Sequence, residues 1–148
     1  MMRLIKCIAL LLLITSCNSN ETKNKANYSS KNESETKTDP KLKASITEGK
    51  SIYNNFCISC HMPNGKGVPR AFPPLADSDY LRKNQVESIK AVKNGMSGKI
   101  VVNDLTYNSV MASLGLSDKE VADVMNYINN SWGNKIDNFV TSEKVSKL

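Results

Sequence analysis

The chain has a single histidine, His61, in 148 residues. One histidine excludes bis-histidine coordination of a metal from within the chain. Cysteine is scarce too, with Cys7 and Cys17 near the N-terminus and Cys57 and Cys60 in mid-chain. That distribution argues against a structural zinc site, which needs four ligands gathered in one place. Aromatic side chains make up 6% of the residues. The stretch 46–148 has eight of them, so its own apolar core is thin. No apolar run is long enough to cross a bilayer as a helix; Ile8 to Ile14 is uninterrupted but too short. An excess of one charge is also missing where it would matter. The net charge is +6 for the whole chain, but residues 46–148 hold 12 basic and 10 acidic side chains. The surplus sits in Arg3, Lys6 and a lysine-rich segment after Cys17, so no basic face points to nucleic acid.

The most informative residues present are Cys57-Ile58-Ser59-Cys60-His61. They read C-x-x-C-H, the attachment pattern of a c-type haem. Two thiols three positions apart can add to the two vinyl groups of one haem, and the adjacent imidazole then lies under the iron as proximal ligand. A redox dithiol is the competing reading of C-x-x-C, but it belongs in a strand-to-helix setting, and no strand pattern precedes Cys57. The expected cofactor is therefore one covalent haem c.

Arg3 and Lys6 followed by Ile8 to Ile14 read as a signal-peptide n-region and core. The run ends in Ile14-Thr15-Ser16-Cys17, which resembles the lipobox of bacterial lipoproteins. That resemblance implies cleavage after residue 16 and acylation of Cys17, and acyl chains bind membranes at about 0.8 kcal/mol per buried methylene. From Asn18 to Ala44 the chain is Asn, Ser, Thr, Lys and Glu with almost no apolar side chain, a composition that cannot offset ordering entropy. It is expected to be a disordered tether spanning on the order of 30 Å. The expected organisation is a signal peptide over 1–16, a lipidated cysteine and tether over 17–44, and one small domain over 45–148.

That domain reads as helical. Ser45-x-x-Glu48 has the form of a capping box opening a helix that runs to the haem motif. Gly49, Tyr53 and Cys57 recur at spacing four and share a face; a mid-helix glycine is costly unless another backbone comes close. A turn-rich loop follows from Pro63 through Phe72-Pro73-Pro74-Leu75, then a short helix near Ser78 to Lys83. Asn84-x-x-Glu87 starts another helix, with Val86, Ile89 and Val92 inward and Gly95 as its stop. Lys99 to Tyr107 reads as a hairpin turning at Asn103-Asp104. Ser117-x-x-Glu120 caps a helix with Val121, Val124, Met125 and Ile128 on its apolar face, ending near Trp132-Gly133. A last short helix is expected around Ser142 to Lys147.

A helix, a C-x-x-C-H motif, a long loop, further helices and a methionine before a final helix together resemble a class I cytochrome c. The resemblance covers residues 46 to about 133. It implies an all-α fold of four to five helices around one haem, with a minor β-hairpin. Gly49 and Tyr53 look like the glycine and aromatic of the family's first helix, which pack on its last; Tyr127 and Trp132 would belong to that last helix. Pro73 and Leu75 look like the haem-pocket proline and leucine. By resemblance the Pro73 carbonyl accepts a hydrogen bond from His61, and Leu75 lies on the haem face. Phe72-Pro73-Pro74-Leu75, Tyr107-Asn108-Ser109-Val110-Met111 and Asn130-Ser131-Trp132-Gly133-Asn134 are further similar to the haem c domains of copper nitrite reductases and to cytochrome subunits of membrane-bound dehydrogenases.

The resemblance also implies Met111 as sixth iron ligand, in the loop before the last helix. The family usually follows this methionine with proline; here Ala112 follows and leaves the loop less stiff. Met62 directly follows the proximal histidine and cannot reach the opposite face. Met125 and Met96 read as packing residues. With His61 and Met111 as axial pair, the implied role is one-electron transfer without catalysis. Its redox donor and acceptor would be respiratory proteins such as a nitrite reductase, dehydrogenase or terminal oxidase. The implied site is lipid-anchored, on the periplasmic side of a bacterial membrane. The alternatives are a haem-based gas or redox sensor, or a peroxidase-like enzyme, with a labile methionine.

Overall fold

A computed structural model describes residues 39–148. The signal peptide, Cys17 and the tether as far as residue 38 lie outside the described residues. The described part is mostly helical, with α1 (Pro40–Phe56), α2 (Ile58–His61), α3 (Asp79–Lys83), α4 (Gln85–Asn94), β1 (Ile100–Val102), β2 (Leu105–Tyr107), α5 (Asp118–Asn129) and α6 (Ser142–Ser146) in chain order. The expected four to five helices are six among the described residues, because the haem motif forms a turn of its own.

The first helix starts earlier than Ser45. Asp39 caps it, accepting from the Lys41 N–H at 2.9 Å, and Pro40 fills the first helical position. An acceptor side chain followed by proline is a strong start signal, since proline lacks an N–H only where none is needed. Residues 40–44 are therefore helix rather than tether. Ser45, read as a cap, is buried within the helix and donates to Asp123 Oδ1 at 2.6 Å. The capping box at the head of α5 does form: Glu120 N donates to Ser117 Oγ at 3.4 Å and Ser117 N to Glu120 Oε2 at 2.8 Å.

α1 packs across α5 at Gly49. A Cβ there would overlap the Asp123 carbonyl and stand 2.8 Å from Tyr127 Cβ. The missing side chain thus lets two backbones touch. One turn on, Tyr53 is fully buried, with its ring centroid 5.4 Å from Tyr127 and 5.0 Å from Trp132. Tyr127 and Trp132 meet edge to face at 5.4 Å, a favoured arrangement of ring quadrupoles. Trp132 is not on the last long helix, which ends at Asn129. It lies beyond, in a left-handed backbone with φ 51°, followed by Gly133 at φ 86°.

Ser78 caps α3 through Leu81 N at 3.2 Å. Asn84 separates α3 from α4, but its side chain donates back to the Tyr80 carbonyl at 3.1 Å rather than capping α4. Ile89 and Val92 face the core, while Val86 is exposed, contrary to its expected inward position. The two strands pair antiparallel as Ile100–Tyr107, Val101–Thr106 and Val102–Leu105. Asn103 and Asp104 turn between them with φ of 48° and 62°, the positive-φ pair that suits the twist of a two-residue hairpin. The hairpin tip is clasped to α3: Asn103 N donates to Asp79 Oδ1 at 2.8 Å and Asp79 N to Asn103 Oδ1 at 3.0 Å.

The tail returns along α5. Val140 and Val145 are buried. Asn126, fully buried on α5, takes the Val140 N–H at 2.9 Å and donates to the Val140 carbonyl at 2.8 Å and to Ser45 Oγ at 2.9 Å. Three segments thereby share one polar side chain.

The α1–α5 crossing makes a test of this packing. Gly49→Ala puts a methyl into the Asp123 carbonyl, and overpacking a tight contact costs about 3 kcal/mol. Denaturant unfolding should show a loss of that order; an unchanged midpoint would mean that the helices do not cross closely.

Candidate functional site

The last turn of α1 delivers Cys57 as its C-cap, and α2 turns at once behind it. Cys60 N and His61 N both donate to the Cys57 carbonyl, at 3.2 and 2.9 Å. This single turn brings both thiols and the imidazole to one cavity. Burial, followed by the neighbouring Cys60, pushes the Cys57 thiol up to about 11.

The His61 ring is held by the loop opposite. Its Nδ1 lies 3.0 Å from the Pro73 carbonyl oxygen. A carbonyl can only accept, so Nδ1 carries the hydrogen. Burial lowers the pKa of His61 below its ordinary value, opposed in part by the bond to Pro73. The neutral ring with hydrogen on Nδ1 leaves the Nε2 lone pair free, as a metal ligand requires.

Glycines make the loop possible. Gly65 has φ 66° and a Cβ there would lie 2.5 Å from the Trp132 ring; Gly67 has φ 58° and a Cβ there would lie 2.6 Å from the Pro73 carbonyl oxygen. The Gly65 carbonyl accepts from Leu75 N at 2.7 Å and Ala76 N at 2.8 Å. Ser109 Oγ donates to the Ala71 carbonyl and ties the loop to the segment leading to Met111.

The cavity has two adjoining lobes. The one, about 640 Å³ including its open mouth, is almost wholly apolar and backed by Leu75, Val124, Met125 and Ile128; the other, about 990 Å³ including its open mouth, reaches Phe56, Cys60, Phe72 and Val110. Cys57, His61, Pro73, Met96, Ile100 and Met111 line both.

Two methionines face that shared space. Met96 N donates to the Met111 carbonyl at 2.8 Å and Met111 N to the Met96 carbonyl at 2.9 Å. Residues directly opposed in an antiparallel bridge project their side chains to the same side. Gly95 permits the bridge, since a Cβ there would lie 2.6 Å from the Met111 carbonyl oxygen. Met96, read from sequence as packing only, therefore lines the cavity beside Met111. Met125 is fully buried in the core that backs the cavity, whereas Met62 is partly exposed and borders neither lobe.

Two thiols one turn apart, an imidazole with a free Nε2, an apolar slot and a thioether source fit a covalent haem. Among the described residues no group of three or more His, Cys, Asp or Glu side chains converges to hold a metal ion instead. Residues 46–132 match the family model described as Cytochrome c. The chain belongs to the cytochrome c family. It is a class I monohaem c-type cytochrome; its cofactor is haem c and its function is haem-based electron transfer.

Among its relatives is "Cytochrome c-552" of Thermus thermophilus, 40% identical over 110 residues, covering 68% of this chain and 83% of that one. The "Alcohol dehydrogenase (quinone), cytochrome c subunit" of Gluconacetobacter polyoxogenes is 35% identical over 104 residues, covering 68% of this chain but 22% of that subunit. "Cytochrome c-551" of Bacillus subtilis is 32% identical over 88 residues, covering 59% of this chain and 67% of that one.

Sequence reasoning missed the polar residues that brace this cytochrome. Asn126 and Asn129 lie on one stripe of α5 with Ala122 and Met125, and both are fully buried. A polar side chain recurring on an apolar stripe is the signal that could have found them, because a buried amide needs partners. Asn129 has one in Gln85 Oε1, at 2.9 Å.

Proposed function

We propose that this cytochrome carries single electrons between periplasmic or membrane respiratory proteins, with His61 and Met111 as its axial pair. The observation that carries the reading is the 3.0 Å contact between His61 Nδ1 and the Pro73 carbonyl. It leaves Nε2 as the ring's free donor and fixes the ring plane. A hydrogen bond from the far nitrogen also raises the basicity of the ligating one. Cys57 and Cys60, one turn before, would attach the cofactor through thioethers. Bound haem c supplies a one-electron iron couple. The chain's part is to orient His61, to offer sulfur on the other side, and to exclude water with Leu75, Val124 and Ile128. An imidazole and a thioether together favour a higher potential than imidazole alone. They also leave no open position for substrate, so the protein is read as a carrier rather than an enzyme. The sensor and peroxidase readings need such a position, and two thioethers lining the cavity disfavour one.

Met111 is preferred over Met96 because it lies in the segment before α5 where the family's axial methionine is found. The names of the dehydrogenase-subunit relatives support a dehydrogenase as a redox partner; a nitrite reductase or terminal oxidase as partner rests on the sequence resemblance alone. Cys17 is read as acylated, holding the domain on the periplasmic side of a bacterial membrane by a tether that ends where α1 begins.

The ligand assignment is tested by paired variants. Met111→Ala should abolish the sulfur-to-iron band of the oxidised protein, lower the reduction potential and admit CO to the ferrous form. Met96→Leu should leave all three as in the wild type. The reverse pattern would make Met96 the ligand.

Two cysteine variants separate anchor from cofactor. Cys17→Ser should shift the protein from the membrane to the soluble fraction with an unaltered haem spectrum. Cys57→Ser should leave little haem-staining band on a denaturing gel. A Cys17→Ser protein that stays on the membrane contradicts the anchor, and a full haem band in Cys57→Ser contradicts the attachment.

A further inference from the structure

The motif Asn130-Ser131-Trp132-Gly133-Asn134 lies beyond α5, and cofactor attachment does not account for it. Asn134 is 6% exposed. Its Oδ1 accepts from Asp77 N at 3.1 Å, and its Nδ2 donates to the Leu75 carbonyl at 2.9 Å and to the Ile128 carbonyl at 3.0 Å. One amide therefore joins two points of the pocket loop to the last turn of α5. The left-handed Trp132 and Gly133 reverse the chain so that this side chain comes back under the loop.

The loop is gripped from two sides. Gly65 accepts from Leu75 and Ala76, and Asn134 bonds Leu75 and Asp77. Asn134 presents donor and acceptor to residues 75 and 77 much as a neighbouring strand would. An apolar side chain in its place would take their partner from the Asp77 N–H and the part-buried Leu75 carbonyl, while the Ile128 carbonyl would keep the Ser131 N–H; losing one partner of a buried pair is the costly way to lose a hydrogen bond. Two residues upstream of this grip is Pro73, whose carbonyl takes the His61 hydrogen. Leu75 itself lines the cavity.

We infer that Asn134 is a positioning residue for His61: it holds the 73–77 loop so that the Pro73 carbonyl stays on the imidazole. The inference rests on His61 being the proximal ligand. An imidazole that donates Nδ1–H to a fixed carbonyl gives more electron density to the metal than one without that partner. Loosening the loop weakens this donation, which favours the reduced state. It also lets the Nδ1 hydrogen reach water.

The test compares Asn134→Ala with Asn126→Ala in the haem-loaded protein. Asn126 is equally well bonded, but its partners are Ser45 and Val140 rather than the pocket loop. Both variants should lower the unfolding midpoint. Only Asn134→Ala should raise the reduction potential and speed exchange of the His61 Nδ1 hydrogen, read by nitrogen-15 NMR, by about tenfold or more, as expected for the loss of one or two buried hydrogen bonds. If Asn134→Ala does not fold, Asn134→Ser, too short to reach all three partners, should move both readouts in the same direction. Potential and exchange that stay at wild-type values in a folded Asn134 variant, or that move as far in Asn126→Ala, would overturn the inference. A wild-type spectrum without iron-bound imidazole would overturn it together with the ligand assignment beneath it.

Discussion

The crossing of α1 and α5 at Gly49 is the constraint on which the pocket depends. Backbones that touch there press Tyr53 onto Tyr127 and Trp132. From that aromatic cluster two bonds reach the cofactor side. Tyr53 OH donates to the Met62 carbonyl at 2.7 Å, directly after His61, and Trp132 Nε1 donates to the Pro63 carbonyl at 3.2 Å. Trp132 also covers Gly65, whose carbonyl holds Leu75 and Ala76. The close crossing at Gly49, braced by the Ser45–Asp123 hydrogen bond, thus supports the loop that aims the imidazole.

The opposite wall is built by different means. The Met96–Met111 bridge joins the two segments that flank the hairpin, the Asp79–Asn103 clasp ties the hairpin tip to α3, and the ion pair of Lys93 with Asp118 at 3.0 Å ties α4 to α5. Lys93 also donates to the Val145 carbonyl at 2.9 Å, so the tail helps to hold the end of α4. Among the described residues no fully buried side-chain nitrogen or oxygen lacks a partner. That matters in a domain with few aromatics, where each unpaired amide would remove a kilocalorie or more from a small total, about 1–3 kcal/mol per group. The apolar volume that the sequence cannot fill with its own side chains is the cavity that the cofactor fits.

Much of this was legible in the sequence because the signals are local. C-x-x-C-H specifies chemistry within five positions. Ser117 with Glu120 and Asn103 with Asp104 are short-range rules, and both formed where expected. Ser45 misled because the same residue type serves as a cap or as a buried donor, and only the distant Asp123 decides which. Met96 misled for a similar reason: its place in the cavity comes from pairing with a residue across the hairpin. The partners of Asn134 and Asn126 were not legible, because most of them lie in a loop and a tail with no periodicity of their own. Local chemistry identified the cofactor, whereas the positioning of its ligands depends on contacts between distant segments.

We propose that His61 and one methionine, Met111, would hold the iron of this electron carrier. Proton NMR of the reduced wild-type protein with labelled methionine methyl groups tests it most directly. A methyl held on iron lies over the haem plane and is shifted far upfield by its ring current. One such resonance is expected, belonging to Met111, with Met96 near ordinary positions. A shifted methyl belonging to Met96, or no shifted methyl at all, would contradict it.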